Sequence, residues 1–243
     1  EYSGEGPAFR FVEFKDCDVR GLGIRGGGIE FVARRSSARV TVEACRVELA
    51  GTGTAFLFTD ALGAMGAADM SVYAVRDCEA SKAATGFRWV GPNNLDPSVS
   101  HSTATDCAIG FDLREGGSNA VLHGVGGSFC GELVAVNGGY QVDVLVQSAE
   151  HCGTVFRTGG DDAGGHGQPT PQDFRALSVR DCTGPWLVVN KAGRVRVQAS
   201  SLIGKKEATA ENRSAVPLVL SLSDEAVGEV ASIGIVTIAK GAS

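Results

Sequence analysis

The chain has 243 residues, 43% of them hydrophobic and 21% charged, a soluble composition with enough length for one large core or two small ones. A net charge of −6, with no basic stripe interleaved with aromatics, argues against nucleic acid as a partner, because phosphate binding needs concentrated positive charge. No apolar run approaches the roughly 20 residues that span a bilayer, so membrane insertion is not expected.

Read from the N-terminus, the chain repeats one phrase. "VEFKDC" closes on Cys17, and similar phrases close on Cys45, Cys78, Cys107, Cys130, Cys152 and Cys182, at intervals of 28, 33, 29, 23, 22 and 30 residues. An odd number of thiols cannot all pair within one chain, and no C-x-x-C spacing suggests zinc or redox chemistry. Intervals of this length are instead the mark of a structural repeat. Three and five residues before the cysteine stand Phe14 and Val12, Val42 and Val40, Val75 and Tyr73, or Val179 and Leu177, the alternation of a half-buried strand. Asp16, Asp77, Asp106 and Asp181 come immediately before a cysteine, a residue type suited to turns. Each unit therefore reads as strand, corner, cysteine.

After each corner a second run follows: "GIEFV" at 28, "TAFLF" at 54, "TGFRWV" at 85, "IGFDL" at 109, "ELVAV" at 132, "GTVFR" at 153, "PWLVV" at 185 and "PLVLSL" at 217. All are rich in branched or aromatic residues and too short for helices. Near the C-terminus "RVRVQASSLIG" places Leu202 in the cysteine slot, "GKKEATAENRSA" reads as a solvated excursion, and "EVASIGIVTIAKG" supplies a last strand. The expected packing is a stack of buried thiols, since Cys fills space as a small hydrophobe and demands little of its neighbours.

Repeats of two or three short strands without a helix resemble the right-handed parallel β-helix of the pectate-lyase-like superfamily. The predicted fold is thus an all-β solenoid of about 8 to 9 coils over residues 1–243, a single β-helix domain. The cysteine-containing leucine-rich repeat is the rival, because "FRALSVRDC" fits its spacing. Its helix is missing here: the continuations "DVRGLGIRGGG" and "GELVAVNGG" are glycine-rich and alternate at period two. A solenoid needs covered ends, and only "EYSGEGP" precedes the first strand, so other domains or subunits are expected to cover both.

Long turns after the second strand, at 33, 59, 91 and 157, leave at one corner and are expected to wall a groove. Asp60, Asn93, Asn94, Arg88 and Asp112 are its candidate ligand residues, with Arg88 and Asp112 on neighbouring rungs as an ion pair. "GGDDAGGHG" supplies the only catalytic candidates, Asp161, Asp162 and His166. Polygalacturonase-type hydrolases, also β-helices, carry Asp-Asp and Gly-His-Gly motifs. In that family the two lie on strands about a coil apart with Asn-Thr-Asp and Arg-x-Lys, whereas here they crowd into one turn and the companions are missing. Inverting hydrolysis needs carboxyls about 6.5 to 9.5 Å apart, which neighbours on one loop supply poorly. No cofactor or metal is expected; Ca²⁺ is the one ion that Asp161 and Asp162 would suit. The resemblance implies a module binding or processing polysaccharide, in an extracellular, cell-surface or virion setting. A polysaccharide lyase or hydrolase and a purely architectural rod are the alternatives.

Overall fold

The computed structural model describes residues 6–12, 14–33, 39–60, 70–91, 94–159, 171–190, 194–200, 202–203, 210–212, 219–222 and 239–240. Each coil delivers one strand to a ten-stranded parallel sheet. Its strands are β1 (Phe9–Val12), β4 (Ile29–Ala33), β7 (Thr54–Asp60), β10 (Thr85–Val90), β13 (Ile109–Glu115), β15 (Glu132–Val136), β17 (Thr154–Thr158), β19 (Leu187–Val189), β22 (Ala210–Asn212) and β24 (Ala239–Lys240). Side chains are described on eight consecutive rungs from β1 to β19, which span about seven turns. The remaining strands form a fourteen-stranded sheet whose described pairings are also parallel. This is the arrangement of right-handed β-helix folds, the hand that a parallel crossover takes in nearly every case.

The larger sheet changes character midway. In the first four coils it is folded at a corner, with β2 (Asp16–Arg20), β5 (Arg39–Glu43), β8 (Met70–Arg76) and β11 (Asn94–Ser100) on one side. On the other side lie β3 (Gly23–Arg25), β6 (Arg46–Glu48), β9 (Glu79–Ser81) and β12 (Thr103–Thr105). Then β14 (Ala120–Ser128) pairs with both β11 and β12 and fuses the two ladders. The fusion is marked by a register shift between His123 and Val125, at Gly124 with φ 68°. A Cβ there would meet His101 Cδ2 at 2.9 Å, so the bulge belongs to glycine. From that point β16 (Val142–Glu150) and β18 (Pro171–Arg180) each join the two sides in one strand, with a bend kept where Gln147–Ser148 and Leu177–Ser178 interrupt the alternation of buried residues.

This change divides the thiols between two stacks. At the first corner Leu22, Cys45, Cys78, Ser102 and Val125 each immediately precede a paired residue on successive rungs. At the second corner Ala83, Cys107, Cys130, Cys152 and Cys182 share one slot. The interval from Cys78 to Cys107 therefore crosses from one stack to the other. Cys17 stands in neither: it pairs with Val40, and Leu22 fills the first-corner slot of its coil. Leu202 likewise pairs with Val179, three residues short of the cysteine position.

Two further assignments shift. "PLVLSL" carries β23 (Val219–Leu222), which pairs with β20 (Arg194–Ala199) in the larger sheet. The second-run strand of that coil is β22, inside the segment read as a solvated excursion, and Ala210 is fully buried. A short strand flanked by charges offers too little apolar alternation to be recognised without its neighbour on the ladder.

Corner and core chemistry explain the stacking. Ala44, Asp77 and His101 precede the first-corner slot, and Lys82, Asp106, Phe129, His151 and Asp181 the second; all have φ between 47° and 55° except Phe129 at 56°. In this left-handed region a single residue reverses the chain direction, and Asp tolerates it better than most. Cys45, Cys78, Cys107, Cys130 and Cys152 each donate to a carbonyl two residues back, as Cys78 Sγ does to Arg76 O at 3.2 Å. All of these but Cys107 also face a carbonyl of an earlier coil, Val42 O at 3.6 Å for Cys78. Beside the thiols, rings stack along the axis: Phe11, Phe31, Phe58 and Trp89 at 5.2, 5.2 and 5.3 Å, and Phe56, Phe87 and Phe111 at 4.7 and 4.8 Å. Each such pair contributes about 0.5–1.5 kcal/mol beyond the area it buries.

Candidate functional site

The turns expected to wall a groove do leave at one corner, after β4, β7, β10 and β17 of the ten-stranded sheet. Asn93, Asp161, Asp162 and His166 lie outside the described residues. Asp60 and Asn94 are buried at that corner. Asn94 Nδ2 donates to Phe58 O at 2.8 Å and Val90 O at 3.1 Å, so its amide braces the turn backbone. Asn137 and Gln172 do the same further along: Asn137 Nδ2 donates to Arg114 O at 3.0 Å, and Gln172 Nε2 to Asn137 O at 2.8 Å. Buried amides satisfy the carbonyls that a tight corner strips of ladder partners.

Arg88 and Asp112 face each other on adjacent rungs, with Nε 3.7 Å from Oδ2. The pair is part of a longer charged band. Arg114 grips Asp112 with two contacts, Nε to Oδ1 at 2.8 Å and NH2 to Oδ2 at 2.9 Å. Arg88 NH2 also donates to Glu115 Oε1 at 3.0 Å, and Arg157 pairs with Glu132. Three guanidiniums thus meet three carboxylates on the outer side of β10, β13, β15 and β17. Asp112 is nearly enclosed by the two arginines that hold it, at 3% side-chain exposure.

At the N-terminal ends of β13, β15 and β17 lies a shallow, widely open recess of about 440 Å³, lined among others by Ile109, Arg114, Glu132, Thr154 and Arg157. Its floor includes Gly131, Gly153 and Gly184. Cβ atoms on these residues would come within 2.7 Å of Ala108 O, 2.5 Å of Gly131 O and 2.8 Å of Gly153 O. Coils can stack this closely only without side chains there. Two residues before Gly131 and Gly153 are the exposed second-corner residues Phe129 and His151.

A second polar cluster lies on the outer side of β14, β16 and β18. Arg175 NH2 donates to Asp143 Oδ1 at 2.7 Å, and His123 Nε2 lies 3.3 Å from both Asp143 Oδ2 and Arg175 NH2. Arg196 adds a two-contact pair with Asp173 at 2.6 and 2.7 Å. Desolvation pushes Asp143 up, but the hydrogen bonds from Arg175 and His123, with their charges, outweigh it and hold the carboxyl below its usual range. The network is internally satisfied and resembles the ion-pair ladders elsewhere on the rod, such as Arg20 with Glu43 at 3.4 Å and Arg46 with Glu79 at 3.1 Å.

Contacts with Cys107 and Cys152, together with burial, push Cys130 up, and burial beside Cys152 pushes Cys182 up to about 12, while hydrogen bonds from neighbouring thiols hold Cys45, Cys107 and Cys152 below the usual thiol range. All seven cysteines are free. Among the described residues no group of three or more His, Cys, Asp or Glu side chains is placed to hold a metal ion, and no helix is long and apolar enough to cross a membrane.

Arg114, Glu132 and Arg157 escape a reading of the sequence because nothing local marks them. Only the ladder register, Ala135 with Arg157 and Glu132 with Thr154, brings them to one place. Comparison of the chain with protein-family models, with curated proteins and with solved structures finds no match to any of them.

Proposed function

We propose that this chain is a β-solenoid module that binds a polysaccharide along the outer side of its ten-stranded sheet, from the glycine-floored recess across Arg114, Asp112 and Arg88. The observation that carries this reading is the band of planar guanidinium and carboxylate groups on the outer side of the sheet, beside a shallow, widely open depression. Such groups donate to and accept from pairs of sugar hydroxyls, and a groove running along coils accommodates a chain of sugars rather than one small molecule. Asp60 and Asn94 contribute as buried supports of the corner after β7 and β10, and Asn93 is a proposed ligand residue. β-Helix scaffolds of this general kind serve carbohydrate binding and processing, which is consistent with the assignment without deciding it. A secreted, cell-surface or virion location follows from such a ligand, and other domains or subunits are proposed to cover the coil ends, where Phe9 and Val12 are exposed.

Screening the full chain against immobilised glycans is the test. Saturable binding of a polysaccharide, weakened by Arg88→Ala, is the expected result; no binding to any glycan would refute the proposal. A reducing-sugar assay with and without Ca²⁺ separates binding from cleavage. Release of product would move the chain to the lyase or hydrolase class, with Asp161, Asp162 and His166 as the first residues to substitute. Absence of binding together with concentration-dependent oligomers would favour an architectural rod.

A further inference from the structure

We infer that the Asn137–Gly138 bond is a covalent modification site: the folded chain holds Asn137 as asparagine, and unfolding releases its conversion, through a succinimide, to aspartate and isoaspartate. The inference stands apart from the ligand proposed above.

Asn137 is the one asparagine in the chain followed by glycine. The conversion begins when the backbone nitrogen of the next residue attacks the side-chain Cγ, and a side chain on that residue crowds the approach. Asn93, Asn94, Asn119, Asn190 and Asn212 all have such a side chain after them. Unfolded, the chain therefore offers Asn137 first.

Folded, Asn137 is tied at every polar atom. Nδ2 donates to Arg114 O at 3.0 Å and Oδ1 accepts from Gly139 N at 2.9 Å, so neither end of the carboxamide is free to turn. Its backbone N donates to Leu113 O at 3.3 Å, and its carbonyl accepts from Gln172 Nε2 at 2.8 Å and Tyr140 N at 3.2 Å. At 4% exposure it is also closed to the base that must take the Gly138 proton. Ring closure turns the carboxamide and the adjoining backbone together, so these contacts must open first.

The steps balance without any oxidant. A base removes the Gly138 amide proton, the nitrogen bonds to Cγ, and Nδ2 departs as ammonia. Water then opens the ring. Breaking the ring bond to Cγ leaves aspartate; breaking the bond to the main-chain carbonyl carbon leaves isoaspartate, with the backbone lengthened by the β-carbon. Either product lacks the donor to Arg114 O, and that carbonyl belongs to the residue that grips Asp112. A carboxylate facing a buried carbonyl is costly, so the corner does not re-form and the unfolding event stays written in the chain.

The test incubates the full chain at mildly alkaline pH in isotopically labelled water, folded in buffer and unfolded in guanidinium chloride, and maps conversion by peptide mass spectrometry. The unfolded chain should convert at Asn137 ahead of every other asparagine and take up labelled oxygen there. The folded chain should convert at least about a hundredfold more slowly, because it reacts only from an opened state. Gly138→Ala, measured in guanidinium where folding plays no part, should slow the reaction at least about tenfold. Converted chains should refold in lower yield than chains held unfolded for the same time at weakly acidic pH. Equal rates in the folded and unfolded chain overturn the protection, conversion spread evenly over the asparagines overturns the site, and refolding in equal yield overturns the lasting lesion.

Discussion

A single left-handed residue before each buried slot turns this chain, and that residue sets a local stability scale. Ala44, with φ 52°, has only a Cβ to strain. Ala44→Gly should stabilise by up to about 1 kcal/mol, the left-handed cost less the added flexibility of glycine, while Ala44→Val should destabilise; urea unfolding measures both. The thiols give a matched pair of tests. Cys130 is buried among thiols and carbonyls, and Cys130→Ser should cost about 1–3 kcal/mol through a poorly partnered hydroxyl. Cys17 is half-buried outside both stacks, and Cys17→Ser should stay within about 0.5 kcal/mol. Equal losses would mean that the stacks do not matter energetically. Alkylation adds a pH signature. Because burial places Cys182 at about 12, its labelling rate should keep rising with pH beyond the range in which an ordinary thiol has levelled off.

Strands and corners were legible from sequence wherever alternation ran beside a recurring cysteine; seven of the second runs became rungs β4 to β19 of one ladder. What escaped was the corner count. The spacing of Cys78 and Cys107 looks like one more repeat, although it joins two corners, because a coil with three short strands and a coil with one long strand use similar numbers of residues. Register alone reveals the fusion at Gly124. Asn94 shows another limit of sequence: a polar residue in a turn suggests a ligand surface, yet its amide faces inward to the carbonyls of Phe58 and Val90. Element packing makes two predictions. Gly153→Ala drives a Cβ to within 2.5 Å of Gly131 O and should cost about 1–3 kcal/mol by overpacking two coils. On β14, β16 and β18, Asp143 has a folded pKa below its unfolded value. Its contribution is therefore complete above the unfolded pKa and is lost as pH falls through the folded one. Acid unfolding of Asp143→Asn should consequently show a shallower pH dependence, and the difference should shrink at high salt because the network is partly exposed.

Over the whole molecule the rod divides its work. Its interior is stacked rings and thiols, its larger sheet carries paired charges, and its ten-stranded sheet carries the recess. Arg88 with Asp112 was the one part of that surface visible in the sequence, because both fall at the same place in consecutive repeats. Arg157 and Glu132 were not, since a diagonal contact between coils has no fixed offset along the chain. Amide hydrogen exchange with and without the polysaccharide identified by the glycan screen tests the central claim, that a sugar chain lies along the outer side of this sheet. Protection confined to segments 85–90, 109–115, 132–136 and 154–158 is the predicted result. Protection centred instead on the opposite surface around Asp143 and Arg175, or none at saturating ligand, would contradict it.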